Sequence, residues 1–242
     1  MNAGPTVRLG LSSGTVPAMT AAELAAFTRS LGGTVVDLRA GKGHAWERDG
    51  VAALGGLAVA FVGLSVVLGE DPEQPAAVSD IARRFEGLPV KVFAARGASA
   101  SRRAREQLAA LTGTRTAADV LVETHRGGAG PKELAELCSR HGTRLVIDNL
   151  GLHEISRDVE ADLAYLAPLA RAVQVKGFGA GGRHRPLAEE DLSWSHLFAE
   201  VGVDVTVESR AGTPEHDLSV LARAWKALPC ACPSSATRST RT

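Results

Sequence analysis

The sequence predicts a single (β/α)8 TIM barrel, an α/β fold in which eight strand–helix units close into a cylinder. Short β-branched runs alternate with helical runs about eight times, at roughly even spacing, along the 242 residues. Strands that alternate with helices pair in parallel through right-handed crossovers, and eight units in a chain of this length are typical of a closed barrel. An open doubly wound sheet is the alternative, but residues 11–15, after the first strand, match a glycine-rich nucleotide-binding turn only weakly.

The predicted strands are short and rich in Val, Ile and Leu, as expected for parallel strands buried on both faces. They cover, in order, residues 7–11, 34–38, 58–62, 90–94, 120–123, 145–148, 172–176 and 205–208. No linker interrupts the alternation, so one barrel is predicted for residues 1–228. The remaining residues, 229–242, are rich in Ser, Thr, Arg and Pro and predict a disordered tail.

Helix-start signals follow the first four strands. Thr20, with Glu23 three residues later, has the spacing of a capping box. A short helical stretch is predicted near residues 46–54. Asp71-Pro72 predicts the start of the third helix, because proline is favoured just inside a helix start, and residues 101–111 predict the fourth.

The second half of the chain carries similar signals. Pro131 predicts a helix start, and Gly142 predicts the C-terminal cap of the same helix. Ser156 is placed to cap the next helix. A further helix is predicted near residues 193–201, and the proline at position 214 opens the last one.

Charge and aromatic content exclude some classes of partner. The 27 basic and 27 acidic residues give a formal net charge of zero, which provides no electrostatic attraction to nucleic acid or to an anionic membrane. Aromatic residues make up 4% of the chain, which is too few for a base-stacking surface. We therefore expect neither a nucleic-acid nor a membrane partner.

Other features of the sequence indicate a cytoplasmic protein. The apolar run at residues 55–69 is too short to cross a membrane, and residues 1–5 lack the basic and apolar blocks of a signal peptide. The three cysteines, at positions 138, 230 and 232, are an odd number, and Cys138 falls in a helical pattern where it reads as a small buried residue.

Four polar residues stand at the ends of predicted strands five to eight: Glu123, Asp148, Gln174 and Glu208. In a (β/α)8 barrel the C-terminal strand ends form the mouth where chemistry takes place. Three carboxylates in one mouth repel one another unless a cation joins them, and carboxylate and amide oxygens suit a hard divalent ion. The pattern therefore predicts a metal site and an enzyme.

Four short stretches, at residues 120–128, 145–149, 173–177 and 205–209, together resemble the xylose isomerase-like TIM-barrel superfamily. That superfamily includes sugar-phosphate isomerases and epimerases, inosose and 3-dehydroshikimate dehydratases, and the endonuclease IV group. The resemblance extends from about residue 7 to residue 228, and its motifs specify the fold better than the substrate.

The resemblance implies one divalent metal held by Glu123, Asp148, Gln174 and Glu208. Gln174 departs from the epimerases, which usually have histidine there, and this change favours Mg or Mn while leaving Co and Zn as alternatives. A second departure is Gly151, where the epimerases have another histidine.

The expected activity is that of a metal-dependent isomerase or epimerase acting on a sugar or polyol carbonyl compound through an enediolate. Glu123 and Glu208 are expected to serve as ligand and base, with His125 and Lys176 as auxiliary acids or bases. An exposed loop histidine and a salt bridge from Lys176 to Glu208 or Asp148 are the alternatives for these last two residues.

Five further residues are candidates for substrate binding: Asp37, Arg39, Arg126, His153 and His184. An arginine side chain suits a phosphate or carboxylate group. For Asp37 and Arg39 a structural ion pair is the alternative, and for Arg126 and His184 it is a position at the solvated surface.

Three other functions are considered. A dehydratase of the 3-dehydroshikimate type shares the enolate intermediate, and Gln174 favours it because some dehydratases have glutamine there. A non-catalytic barrel is the third reading, since the histidines of the superfamily are missing. A nuclease is not expected, because that group needs several histidines around multiple zinc ions. The expected partners are a small sugar-like molecule and, if the chain is not a monomer, a second copy in a homodimer.

Overall fold

The computed structural model describes residues 7–70, 75–198 and 201–227. The predicted tail at 229–242, the helix start at residues 71–72, and the cysteines at 230 and 232 lie outside these ranges. They remain predictions.

Eight parallel strands close into one barrel, as the sequence predicts. The strands are β1 (Arg8–Ser12), β2 (Val35–Arg39), β3 (Ala58–Leu68), β4 (Val90–Ala94), β5 (Val120–Glu123), β6 (Arg144–Asp148), β7 (Ala170–Val175) and β8 (Asp204–Val207). Each strand pairs in parallel with the next along the chain, and β8 pairs with β1 through Leu11 and Val207. The polar strand ends predicted from the sequence therefore share one rim.

Helices surround the barrel. They are α1 (Ala21–Ser30), α2 (Trp46–Asp49), α3 (Pro75–Arg83), α4 (Arg102–Thr112), α5 (Pro131–His141), α6 (Asn149–Ile155), α7 (Val159–Leu166) and α8 (Pro214–Lys226). The capping box between Thr20 and Glu23 is present at the start of α1. Gly142 ends α5 with a φ of 71°, a left-handed conformation that glycine adopts without strain.

The predicted helix boundaries after β6 and β7 are wrong in two places. Asp158, not Ser156, caps α7, and its carboxylate accepts a hydrogen bond from the Ala161 N–H at 3.1 Å. The helix predicted near 193–201 is a short 3₁₀ helix, Ser195–Phe198, within the described residues of that segment. Competing hydroxyl and carboxylate caps stand close together in sequence, so the choice between them depends on packing.

The third strand is longer than predicted. It continues through Leu68 instead of ending at Val62, and its register against β4 shifts between Gly63 and Val67. The residues after Val62 remain apolar, and pairing with β4 keeps them in the sheet. The barrel is therefore longer on the side where β3 pairs with β4.

Two apolar layers lie inside and outside the sheet. The inner layer consists of Val35, Ala60, Phe61, Leu121, Val146 and Ala172. Side chains alternate along a strand, so the residues two positions after Val35, Leu121, Val146 and Ala172 also face the barrel interior. Those residues are polar: Asp37, Glu123, Asp148 and Gln174. They lie between the inner apolar layer and the opening of the barrel.

None of the helices in the described part of the chain combines the length and the apolar composition needed to span a bilayer.

Candidate active site

A cleft of about 280 Å³ opens at the mouth of the barrel beside strands β5 to β7. Six of the residues predicted from the sequence line it: Glu123, His125, Arg126, Asp148, Lys176 and His184. Arg210, which follows β8, also lines the cleft and was not predicted. The strand ends therefore bring a mixed set of acidic, basic and imidazole groups to one opening.

Lys176 lies at the centre of this group. Its ammonium forms ion pairs with Asp148 Oδ2 and with Glu208 Oε2, the latter at 3.0 Å. Burial by itself lowers the pKa of Lys176, but the charges of Asp148, Glu208 and Glu123 outweigh it and raise that pKa well above its ordinary value. Lys176 therefore remains a cation, and the salt bridge named as its alternative role is present.

Lys91 is a second buried cation, and sequence reasoning missed it. Its ammonium forms an ion pair with Glu123 Oε2, although the angles do not meet those of a hydrogen bond. The ammonium also lies 4.1 Å from the centre of the Phe93 ring. A lysine inside an apolar parallel strand was the available signal, because such strands are buried on both faces and a buried ammonium needs a partner.

Glu123 remains ionised in this setting. Burial raises its pKa, but Lys91, the neighbouring His125 and the charge of Lys176 reverse the effect and lower the pKa to about 2. The carboxylate is therefore a permanent negative charge at the end of β5.

Glu208 is bound by three cations. Arg39 Nη1 lies 2.8 Å and Arg210 Nη2 lies 2.6 Å from Glu208 Oε1, while Lys176 contacts Oε2. Burial raises the pKa of Glu208, but Lys176, Arg210 and Arg39 together lower it below its ordinary value. Arg39 thus reaches the site as predicted, but its partner is Glu208.

Asp148 has a structural task as well as a place in the site. Its Oδ1 accepts the Gly151 N–H at 2.8 Å and so caps α6, while its Oδ2 meets Lys176. Burial raises the pKa of Asp148; Lys176 opposes that rise and Glu123 adds to it.

Close packing of the backbone explains why position 151 is a glycine. A Cβ at Gly151 would lie 2.0 Å from the carbonyl oxygen of Thr124, a backbone atom. The start of α6 therefore lies too close to the end of β5 for any side chain, and the histidine that the sequence resemblance implies at this position would not fit.

Asp37 lies beneath the cleft and is fully buried. Its Oδ1 accepts a hydrogen bond from Ser12 Oγ at 2.7 Å, and its Oδ2 accepts from Thr206 Oγ1 at 2.5 Å and from Gln174 Nε2 at 3.1 Å. Burial raises the pKa of Asp37 to about 6, with a further contribution from Glu208 that its hydrogen bonds partly offset. The ion pair between Asp37 and Arg39, given as the structural alternative, is wrong among the described residues, because Arg39 pairs with Glu208 and Asp37 has the three partners above. The substrate contact of Asp37 stays a prediction.

The other predicted substrate-binding residues are divided between two places. Arg126 is 80% exposed at the rim, 3.7 Å from Glu154, and His184 lines the cleft nearby. His153 points elsewhere: its ring lies 5.4 Å from that of Phe178 and lines a separate cavity of about 200 Å³. His153 therefore does not line the cleft beside β5 to β7, and its contact with substrate stays a prediction.

His125 is the imidazole best placed for chemistry. Its Nδ1 lies 3.7 Å from Glu123 Oε1, and its ring centre lies 4.2 Å from that of Phe93. About half of the side chain is exposed to the cleft. A histidine held between an aromatic ring and a permanent carboxylate can accept and release protons at the mouth.

The arrangement does not fit a bound divalent cation. Within the described residues, no three His, Cys, Asp or Glu side chains meet in a way that could hold one. The sequence correctly places Glu123, Asp148 and Glu208 at a common rim, but the ammonium of Lys176 lies among them. Gln174, the fourth predicted ligand, directs its amide nitrogen to Asp37.

Solved structures share this fold. An L-ribulose 3-epimerase structure superposes with a TM-score of 0.63 at 15% identity, over 91% of this chain and 95% of that one. A 3-keto-D-glucoside 4-epimerase from E. coli gives 0.63 at 17% identity, over 91% and 100%. A probable 3-DHS dehydratase from Bacillus anthracis, involved in petrobactin synthesis, gives 0.59 at 14% identity, over 90% and 99%.

At the level of sequence, no protein-family model matches the chain, and no curated protein does. The likeness to these solved structures is one of fold: all share the (β/α)8 barrel.

Proposed function

We propose that the protein is an isomerase or epimerase that moves a proton next to the carbonyl group of a small sugar or polyol. The observation that carries this proposal is the placement of the His125 imidazole and the Lys176 ammonium in one cleft of about 280 Å³. The fold shared with two sugar epimerases supports the same class of reaction. The metal dependence expected from the sequence is not part of the proposal, because the donor groups do not fit an ion.

His125 acts as the base. Glu123 Oε1 lies 3.7 Å from Nδ1, and the Phe93 ring packs against the imidazole. Among the described residues no hydrogen bond involves Nε2, which takes a proton from the carbon next to the substrate carbonyl. Because the pKa of Glu123 is lowered to about 2, the carboxylate stays charged and stabilises the imidazolium that forms.

Lys176 stabilises the negative charge that develops on the substrate oxygen. As the C–H bond breaks, its electron pair forms the C=C bond of an enolate, and the carbonyl π electrons move to oxygen. An ammonium group has three N–H donors, and Asp148 and Glu208 take two of them among the described residues. The third is available to the enolate oxygen. Protonation of the same carbon from the opposite face, with a water molecule as the donor, gives an epimer. If the enolate oxygen instead gains a proton and the neighbouring hydroxyl loses one to form the new carbonyl, protonation of the former carbonyl carbon gives an isomer.

A dehydratase acting on a carboxylate-bearing substrate is the second candidate. Arg126 and Arg210 are exposed at the rim, by 80% and 38%, whereas Glu123 and Asp148 are buried beneath them. An anionic substrate would therefore meet positive charge first. The same enolate would then expel a β-hydroxyl as water, and the fold shared with the probable 3-DHS dehydratase favours this reading.

Proton exchange in D₂O tests the proposal. EDTA-treated protein is incubated with a panel of ketopentoses, ketohexoses, inososes and 3-dehydroshikimate, and proton NMR records the loss of the signal next to the carbonyl and the appearance of product. We expect exchange with at least one compound and a fall in kcat of about 100-fold or more for His125→Gln.

His196→Gln is the matched control, because His196 is exposed and bonds to the Ser193 carbonyl away from the cleft. It should retain full activity. If no compound in the panel exchanges, the non-catalytic barrel replaces this proposal, and water elimination without epimer formation would select the dehydratase.

A further inference from the structure

We infer that the ammonium of Lys176 takes the place of a divalent cation at the barrel mouth, so that this site neither needs nor binds a metal ion. The inference rests on contacts among the described residues and holds whichever reaction the site performs. Three observations carry it: the partners of the carboxylates, the balance of charge, and the anchoring of Lys176.

Each of the six carboxylate oxygens in the site already has a partner. The partners are His125 and Lys91 for Glu123, the Gly151 N–H and Lys176 for Asp148, and Arg39, Arg210 and Lys176 for Glu208. A metal ion needs lone pairs that point towards a common centre. Here Asp148 Oδ2 and Glu208 Oε2 converge on the Lys176 ammonium instead of on an ion, and the other four oxygens contact other side chains or the cap of α6.

The negative charge of the site is already more than compensated. Three carboxylates face four cations, Lys91, Lys176, Arg39 and Arg210. Adding a divalent ion would place two more positive charges beside them in a buried setting, where repulsion is poorly screened. The metal ion was predicted because the carboxylates repel one another. Lysine and arginine side chains of the protein remove that repulsion instead.

Lys176 is anchored where a shared ion would sit. It contacts carboxylates from the ends of both β6 and β8, with 3.0 Å to Glu208 Oε2. Its backbone N–H donates to Asn149 Oδ1 at 2.9 Å, and its carbonyl accepts from Asn149 Nδ2 at 2.9 Å. An ion would have to displace an ammonium that is buried, charged and fixed at its base.

The wild-type protein gives the first test. After EDTA treatment and dialysis, Mg²⁺, Mn²⁺, Co²⁺ and Zn²⁺ are added in turn, while thermal unfolding, metal content by mass spectrometry and Co²⁺ visible absorption are recorded. We expect no stoichiometric ion and no ion-specific change in Tm. Uptake of one ion per chain, with a rise in Tm of about 5–10 °C at a hundredfold excess over Kd, would overturn the inference.

Two substitutions at one position give the second test. Lys176→Ala removes the ammonium and leaves room among the carboxylates, so this variant should bind one Co²⁺ or Mn²⁺ and gain stability from it. Lys176→Met removes the charge but fills the space, and should bind at least tenfold more weakly. Lys132→Ala, at an exposed position on α5, should behave as the wild type.

A folded Lys176→Ala protein that binds no ion would contradict the inference, since the ammonium would then not be what occupies the site. If Lys176→Ala folds only when Co²⁺ is present, as followed by circular dichroism, that dependence is itself the predicted binding. If it folds under neither condition, the wild-type measurement decides alone. None of these readouts uses turnover, so failure of the proposed reaction would leave them unaffected.

Discussion

Asn149 and Lys176 exchange two hydrogen bonds, each of 2.9 Å, between the start of α6 and the loop after β7. The amide of Asn149 thus satisfies both backbone groups of Lys176 at the point where β7 ends. The position of the ammonium among the carboxylates depends on this contact as well as on charge.

We predict that Asn149→Ala destabilises the protein by about 1–2 kcal/mol, because two part-buried backbone groups of Lys176 lose their partner. The free energy of unfolding in urea measures the effect. The variant should also lose activity, if the proposed reaction is correct, since Lys176 is no longer fixed. An unchanged unfolding free energy would show that water replaces the amide without loss.

Gly151→Ala should destabilise the barrel by more than about 3 kcal/mol, because its Cβ would meet the Thr124 carbonyl oxygen at 2.0 Å and backbone must move. Gly130→Ala is the control: no atom lies within 4 Å of a Cβ there, and φ is −77°. That variant should stay within about 1 kcal/mol of wild type. Equal effects from the two changes would contradict the packing account of Gly151.

Lys91→Met should cost about 3–5 kcal/mol, because it leaves the buried carboxylate of Glu123 without its nearest cation. The double variant with Glu123→Gln should recover a large part of that loss, since neither charge then remains. Urea unfolding of the wild type, both single variants and the double variant yields the coupling free energy between them. Additive losses would mean that the two side chains do not interact.

The stability of the protein should carry a pH dependence from Asp37. Its pKa is raised to about 6 in the folded protein, so the folded state holds a proton that the unfolded chain releases near pH 4. This contribution is complete below the ordinary carboxyl pKa and is lost as the pH rises through about 6.

The comparison with Asp37→Asn isolates this effect from other carboxyl groups, such as Glu123, whose lowered pKa has the opposite sign. Relative to Asp37→Asn, the wild type should lose about 2 kcal/mol of unfolding free energy between pH 4 and pH 8. Parallel stability curves for the two proteins would show that Asp37 titrates normally.

Much of the fold could be predicted because it depends on local patterns. Alternation of apolar runs with helical runs places all eight strands, and cap residues such as Thr20 and Gly142 mark helix ends. The full length of β3 could not be predicted, since apolar residues after Val62 fit a strand or a buried loop equally well and pairing with β4 decides between them.

The site was predictable in position but not in its charge partners. Acids at strand ends mark the barrel mouth, because every parallel strand ends at the same rim. Which cation meets which acid depends on distances across the barrel, so Lys91 and Arg210 were missed and Arg39 was given the wrong partner. The sequence shows a glycine at position 151 where the resemblance implies a histidine. The reason is the close approach of the Thr124 carbonyl, which depends on how β5 and α6 pack together.

The barrel closes where β1 pairs with β8, and the ion pair between Arg39, at the end of β2, and Glu208, just after β8, reaches across β1 beside this closure. A chain still emerging from the ribosome has no β8 to complete the ring, so β1 and β7 present unpaired edges until synthesis passes Glu208. Shielding of those two edges against self-association is therefore a requirement of biosynthesis, and it ends only when the eighth strand arrives.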